Sequence, residues 1–475
     1  MTDESTLLSS KRASVIAPAG CGKTELIART VNKDTEHRSL VLTHTYAGVD
    51  ALRKRFKKLG TKTSTYTVDT IAGWSLRLVI SFPGTSNIKT SRPRNDQWDS
   101  VYIAAAQLLY ISAIKSVIQA SYDAVYVDEY QDCSPKQHDI VLKLADILPT
   151  RILGDPLQGI FDFGDSEIID WSTHVKPNFE ELPQLNVPYR WANKNPDLGE
   201  WLMTVRNAFE IGKTIDIRQA PNGCVEFIRQ PTDPRSNGNF QRESCMSARC
   251  RVNENFLVIN SWESQCHKIA RMTGGKFRSP ETIECNKLFD TAKIIDDASD
   301  NKELARLTFE FACFCLTKVK NELGRTAERI FNGTGLQQSR KYKHQQQLVV
   351  LEKIAEDGKL SSVYDALLML KNIQNVAIVR YELFHEMLRS LKEYNTGKHD
   401  KLEEAAIIVR DRTRRTGRYP GRYVISRTLL VKGLEFDHVM VFDANILDRT
   451  NLYVALTRGS KSLKVVGNSA ILNPK

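Results

Sequence analysis

Short apolar runs recur along the chain, each closed by turn residues and followed by a stretch with helical spacing. SLVLT (Ser39–Thr43), AVYV (Ala124–Val127) and NFLVIN (residues 255–260) read as buried strands, and AGVDALRKRF after the first of them reads as a helix. Between about residues 263 and 404 the pattern becomes mostly helical, as in ELARLTFEFACFCL, VYDALLMLKNI and ELFHEMLRSLKEY. At 475 residues the length suits about three domains, or two with insertions. The longest uncharged apolar stretch, residues 101–114, is interrupted by Gln107 and Ser112 and is shorter than the roughly 18 residues of a membrane span.

Composition is that of an ordinary globular protein, with 41% hydrophobic and 26% charged residues, which excludes a disordered, collagen-like or coiled-coil chain. The opening MTDEST has neither the basic nor the apolar region of a secretory signal. The nine cysteines, several in apolar segments, fit reduced thiols in a cytoplasm. Neither Cys245/Cys250 nor Cys313/Cys315 has the spacing of a zinc site. A net charge of +11 permits a polyanionic partner such as nucleic acid, or mere solubility charge.

The sharpest chemistry is early. APAGCGKT, from Ala17 through Pro18, Ala19, Gly20, Cys21, Gly22 and Lys23 to Thr24, stands between an apolar strand and a helix, the setting of a P-loop. Its glycines let backbone N–H groups face phosphates, and the helix N-terminus favours the same anion. Lys23 would reach the β- and γ-phosphates and Thr24 would offer a hydroxyl to Mg²⁺. AVYV ends in Asp128-Glu129-Tyr130-Gln131-Asp132, so Asp128 stands at a strand tip, where a second Mg²⁺ ligand belongs, and Glu129 stands beside it to orient or deprotonate water. The pair of motifs predicts nucleoside-triphosphate hydrolysis.

DEYQD after an apolar strand, with APAGCGKT before it, resembles the UvrD/Rep/PcrA group of superfamily-1 DNA helicases, and further motifs follow in that family's order. Thr43, His44 and Thr45 are similar to motif Ia, with His44 where an aromatic is usual, and Thr67 lies in a segment like motif Ib, where Asp69 replaces a common histidine. ILGDPLQGIFDF (residues 152–163) resembles motif III. The resemblance makes Gln158 a γ-phosphate sensor and Phe161 and Phe163 stacking platforms for bases, though Gly164 replaces a family arginine. LNVPYRW (residues 185–191) looks like motif IV, implying that Tyr189 stacks on adenine and Arg190 meets the γ-phosphate. VKGLEFDHVMV and LYVALTRGSKSLKVV resemble motifs V and VI, placing Glu435 on the ribose and Arg458 as a second arginine on the γ-phosphate.

The resemblance implies an α/β fold of two RecA-like P-loop NTPase domains with parallel sheets, each carrying a mostly helical insertion. On that plan residues 1–80 and 118–195 form motor domain 1A, 81–117 a small insertion 1B, 196–262 and 405–475 motor domain 2A, and 263–404 the insertion 2B. Lys23, Asp128, Glu129, Gln158, Arg190 and Arg458 would be catalytic, with ATP and Mg²⁺ as cofactors and single-stranded or tailed DNA as partner. Seven arginines between residues 410 and 427, among them Arg414, Arg415 and Arg418, read as a glycine- and proline-bearing loop that could track phosphates. The implied activity is a single-strand DNA translocase or helicase, with 3′→5′ polarity the family's lean. Absence of Glu-x-Lys puts any common nuclease site on a separate chain. The helicase-like subunit of Gabija-type bacteriophage-defence systems is similar in size and plan, which sets a DNA-sensing subunit that licenses a nuclease beside the helicase reading, in defence or in repair.

Overall fold

The structure is a computed structural model and describes residues 2–90, 93, 97–160, 168–282, 285–337, 339–416 and 421–474, with the side chains of 414–416 excepted. The first sheet is made of β1 (Arg12–Ile16), β2 (Ser39–Thr43), β3 (Tyr66–Thr70), β4 (Ala124–Val127), β5 (Thr150–Gly154) and β6 (Glu180–Leu182), in the order β3-β2-β4-β5-β1-β6. Every pairing in it is parallel. Parallel strands need crossovers, which cover both faces, so β2, β4 and β5 are buried at every position.

Successive residues point to opposite faces, and the core divides accordingly. Leu40, Leu42, Val125, Val127 and Ile152 pack with the helices Ile71–Ser81, Gln97–Leu108, Ser112–Ser121 and Pro135–Ala145. Val41, Tyr126, Val15 and Leu153 face the helices Lys23–Lys33 and Tyr46–Leu59 on the other side. The apolar stretch 101–114 is shared between two helices that meet at 92°, with Val101, Ala105, Leu108, Leu109 and Ile114 in the core and Ile103 and Tyr110 exposed. Among the described residues no single helix is long and apolar enough to cross a membrane.

β7 (Ile215–Asp216) lies outside the second sheet, paired antiparallel with β13 (Ile471–Leu472). The second sheet contains β8 (Val225–Arg229), β9 (Phe256–Ile259), β10 (Tyr423–Ser426), β11 (Phe436–Val441) and β12 (Gly459–Gly467), in the order β10-β9-β11-β12-β8, again all parallel. Leu257, Ile259, Val439 and Val441 pack on one face with the helix Pro196–Glu210, and Phe256, Val258, Met440 and Ile425 on the other with the helix Glu263–Met272. Between β9 and β10 the chain builds a helical body with its own core, from Cys285 to Ala406. The expected α/β architecture of two parallel sheets with helical additions is what the chain forms.

The arginine-rich run departs from its expectation as a loop. The helix Leu402–Thr416 continues through Arg410 and Arg412, because Leu402, Ala406 and Val409 keep helical spacing toward buried neighbours. Arg410 is only 1% exposed and bonds Glu386 at 2.7 Å and Glu382 at 2.8 Å; Arg412 bonds Glu393 at 2.6 Å. Farther along, Arg422 donates to the carbonyls of Cys250 and Arg251, and Arg427 lies 3.3 Å from Glu263. These four arginines are spent on internal partners. Arg414 and Arg415 lie on the helix without described side chains, and Arg418 lies outside the described residues.

Removing one partner of a buried ion pair strands the other charge, at about 3–5 kcal/mol. Arg410→Met is therefore expected to destabilise the chain by about that amount, because Glu386 stays buried without its cation. Equilibrium denaturation of the two proteins measures it, and an unchanged midpoint would remove Arg410 from the framework.

Candidate nucleotide-binding cleft

The strand order sets β4, β5 and β1 side by side, so the segments leaving their C-terminal ends converge. From β1 comes the loop of residues 17–22, which turns through Gly20 (φ +73°) and Gly22 (φ +87°), a conformation favoured in glycine. At Gly20 space is equally decisive: a Cβ there would stand 2.5 Å from the Trp191 ring. The helix Lys23–Lys33 begins at Gly22 with no side-chain cap, leaving its first N–H groups to another acceptor. Tyr189, 56% exposed, lies with its ring against Gly22.

Lys23 is buried and its Nζ stands 3.3 Å from Glu129 Oε2. Burial pulls the Lys23 ammonium down, but Glu129, Asp128 and Asp155 outweigh it and hold the group above its ordinary value. Thr24 donates its hydroxyl to Asp128 Oδ2 at 2.7 Å. Burial, then the adjacent Glu129 charge, raises Asp128, whereas on Glu129 the desolvation is overcome by Lys23 and Lys432, which hold it ionised. Glu129 adopts φ +56°, and its carboxylate accepts from Gln131 Nε2 at 2.7 Å. Gln131 Oε1 in turn accepts from the Asp155 N–H at 2.9 Å, tying β4 to β5. The hydroxyl–carboxylate pair of Thr24 and Asp128 is a hard oxygen donor set suited to Mg²⁺.

The second sheet closes the cleft. Arg458, almost fully buried, donates to Gln158 Oε1 at 3.2 Å, and Gln158 Nε2 donates to Asp155 at 2.8 Å. Burial, then Arg190, pushes the Arg458 guanidinium down to about 9. Arg190 bonds Glu435 at 2.8 Å and the Thr457 carbonyl at 2.8 Å, so Glu435 meets an arginine here. Lys432 forms an ion pair with Asp132 and donates to the Gln158 carbonyl, with burial drawing both charges toward neutrality. Thus Lys23, Thr24, Asp128, Glu129, Gln158, Arg190 and Arg458 come together in one place, as do Tyr189 and Glu435.

Several members escape sequence reading. Tyr453 accepts at its hydroxyl from the Ala19 N–H at 3.3 Å, directly tying the P-loop to the second sheet. Arg206 lies 3.1 Å from Asp155, both fully buried. Arg206 sits on an amphipathic helix where nothing local separates it from a surface arginine. Asp132 and Lys432, by contrast, stand within the DEYQD and VKGLEF motifs, so their spacing carried a signal.

The expected DNA contacts divide. Thr45 caps the helix Tyr46–Leu59 through Gly48 N–H at 3.1 Å, and His44 Nε2 lies 3.4 Å from Cys133 Sγ. Desolvation, then Lys432, takes the His44 imidazole down to about 3, so it is neutral at ordinary pH. Thr43 and Thr67 take other places. Thr43 is buried at 1% exposure with its hydroxyl packed against Gly48, so it offers no contact at the surface. Thr67 is the second residue of β3, paired with Leu40, and its hydroxyl accepts from Arg38. It therefore sits toward the strand's N-terminal end, away from the P-loop edge, because only residues at the strand's other end reach the cleft. Phe161 and Phe163 lie outside the described residues.

Fold and cleft define a two-sheet P-loop protein. Residues 87–173 match the family model described as the UvrD/REP helicase N-terminal domain, which makes the chain helicase-like over that segment. Among solved structures it is similar to the arterivirus nonstructural protein 10 helicase in complex with DNA, at 10% identity and TM-score 0.35, over 97% of this chain and 61% of that one. It is also similar to the PRRSV helicase, at 11% identity and TM-score 0.34, over 98% of this chain and 53% of that one. The chain thus spans between about half and three fifths of those two. No curated protein matches the sequence.

Gly20→Ala is expected to disrupt the loop twice over, through φ +73° and through collision with Trp191. Loss of binding to a fluorescent ATP analogue, with some lowering of the melting temperature as Trp191 gives way, is the expected result. Unaltered binding would mean that the loop does not cradle phosphate.

Proposed function

We propose that the chain is an ATP-hydrolysing translocase of single-stranded DNA that separates strands as it moves. One observation carries this reading: the P-loop edge of the first sheet is bridged to the second sheet by Arg458–Gln158, Lys432–Asp132 and Tyr453–Ala19. Groups that meet across a nucleotide cleft can turn occupancy into relative movement of the two sheets. Residues 1–80 and 118–195 would be motor domain 1A and 196–262 with 405–475 motor domain 2A, the insertions being 81–117 and 263–404.

In the proposed mechanism Lys23 leaves Glu129 and binds the β- and γ-phosphate oxygens, while Tyr189 supports adenine. Thr24 and Asp128 would hold Mg²⁺, which when bound neutralises charge between the phosphates. Glu129, freed from Lys23, orients the attacking water and accepts its proton. Arg190 and Arg458 supply cationic stabilisation as charge builds, an effect worth about 10³–10⁵ in rate for such arginines. Gln158, held by Arg458, reports phosphate occupancy to the loop that follows it. His44, Thr45, Phe161 and Phe163, with Arg414, Arg415 and Arg418, remain the proposed DNA contacts, and 3′→5′ the proposed polarity.

One feature favours a second reading, a DNA-sensing ATPase that licenses a separate nuclease. The helices Gln97–Leu108 and Ser112–Ser121, in and just beyond the segment expected to carry insertion 1B, each pack an apolar face into the core of the first sheet. Among the described residues of that segment, these helices then leave little body standing apart from the first sheet to part a duplex.

ATP turnover with and without a single-stranded oligonucleotide, beside unwinding of 3′- and 5′-tailed duplexes, tests both. Stimulated turnover with unwinding of the 3′-tailed substrate is expected. Stimulation without unwinding selects the sensor, and Lys23→Ala that still hydrolyses ATP overturns the cleft assignment.

A further inference from the structure

Cys133 follows Asp132 and is fully buried, yet it touches two other parts of the molecule besides its own turn. Its Sγ lies 3.4 Å from Nε2 of His44, in the segment leaving β2. Its carbonyl accepts from the Ile169 N–H at 3.1 Å, fixing the chain that enters the turn Trp171–Val175. Its N–H donates to the Tyr130 carbonyl at 3.1 Å, within the acidic segment itself. Its neighbour Asp132 holds Lys432 from the second sheet.

We propose that the His44–Cys133 contact transmits occupation of the single-strand site to the nucleotide cleft, making Cys133 a positioning residue for DNA-stimulated hydrolysis. The inference rests on the translocase reading and names how its two sites communicate. His44 has few other ways to yield. β2 before it is buried along its length, and Thr45 after it is fixed as a helix cap. A strand that presses on His44 therefore presses on Cys133, and close-packed interiors pass such displacements on. Cys133 is one bond from Asp132, whose partner Lys432 also grips the Gln158 carbonyl, and it lies four residues from Glu129. The plainer account is that Cys133 fills core space, as buried cysteines commonly do.

Matched substitutions separate the two. Cys133→Thr replaces the thiol with a hydroxyl that can bond His44, whereas Cys133→Val has the shape of threonine and no polar group. Turnover without DNA and affinity for a labelled oligo-dT strand should be the same in both. The stimulated kcat should fall in Cys133→Val by about five-fold or more, the lower end of ordinary coupling between sites, and be largely kept in Cys133→Thr. Should the branched pair fail to fold, Cys133→Ala and Cys133→Ser make the same comparison with smaller side chains. Matched members that behave alike, whether both stimulated or both impaired, overturn the coupling role alone. A wild-type chain whose hydrolysis ignores single strands overturns the translocase reading and this inference with it.

Discussion

Burial of opposite charges at the tips of three adjacent parallel strands is the constraint on which the cleft depends. Asp128 and Glu129 leave β4, Asp155 leaves β5 and Lys23 follows β1, and all but Glu129 are nearly inaccessible to water. Carboxylates in such a setting are costly unless cations and hydrogen-bond donors face them. Each finds one: Glu129 has Lys23 and Gln131, Asp128 has Thr24, and Asp155 has Arg206 and Gln158. A change in strand order would leave these charges stranded, so topology and electrostatics specify one another.

The second sheet answers the same demand from across the cleft. Lys432 and Arg458 are buried cations, one paired with Asp132 and the other held by Gln158 and the carbonyls of Leu434 and Val454. Arg190 is stationed between Glu435 and the Thr457 carbonyl. Cations crowded together repel, which is why burial and Arg190 together weaken the hold of Arg458 on its proton. An anion bound among them would relieve that repulsion. On the proposed function, phosphate oxygens would take the place of the cleft's own internal pairs.

The sequence made the cleft legible because its chemistry is written in contiguous motifs, each at the end of a strand. APAGCGKT, DEYQD and GDPLQ are each a short contiguous run, and the apolar runs before them announce the strands. What was hidden depends on distance in the chain. Asp155 and Arg206 are 51 residues apart and Ala19 and Tyr453 are 434 apart, and no local pattern marks either pair. The arginine run misled for a related reason: glycine and proline near its end suggested a loop, while Val409 and Ala406 carried helical spacing into Arg410. A buried arginine looks like a surface one until its carboxylates, 24 and 28 residues away, are placed.

The order in which the sheets close has a bearing on how the chain reaches its native state. In the first sheet β1 is flanked by β5 and β6, so the P-loop strand waits for residues 150–182 before it has neighbours on both sides. In the second, β9 lies between β10 and β11, on the far side of the entire helical body. That body is built from helices close in sequence, contacts of the kind that form quickly, whereas both sheets require long loop closures. During synthesis the helical insertion can therefore be packed while β8 and β9 still lack their partners. The strand edges left open in that interval are the part of this protein most exposed to mispairing with other chains.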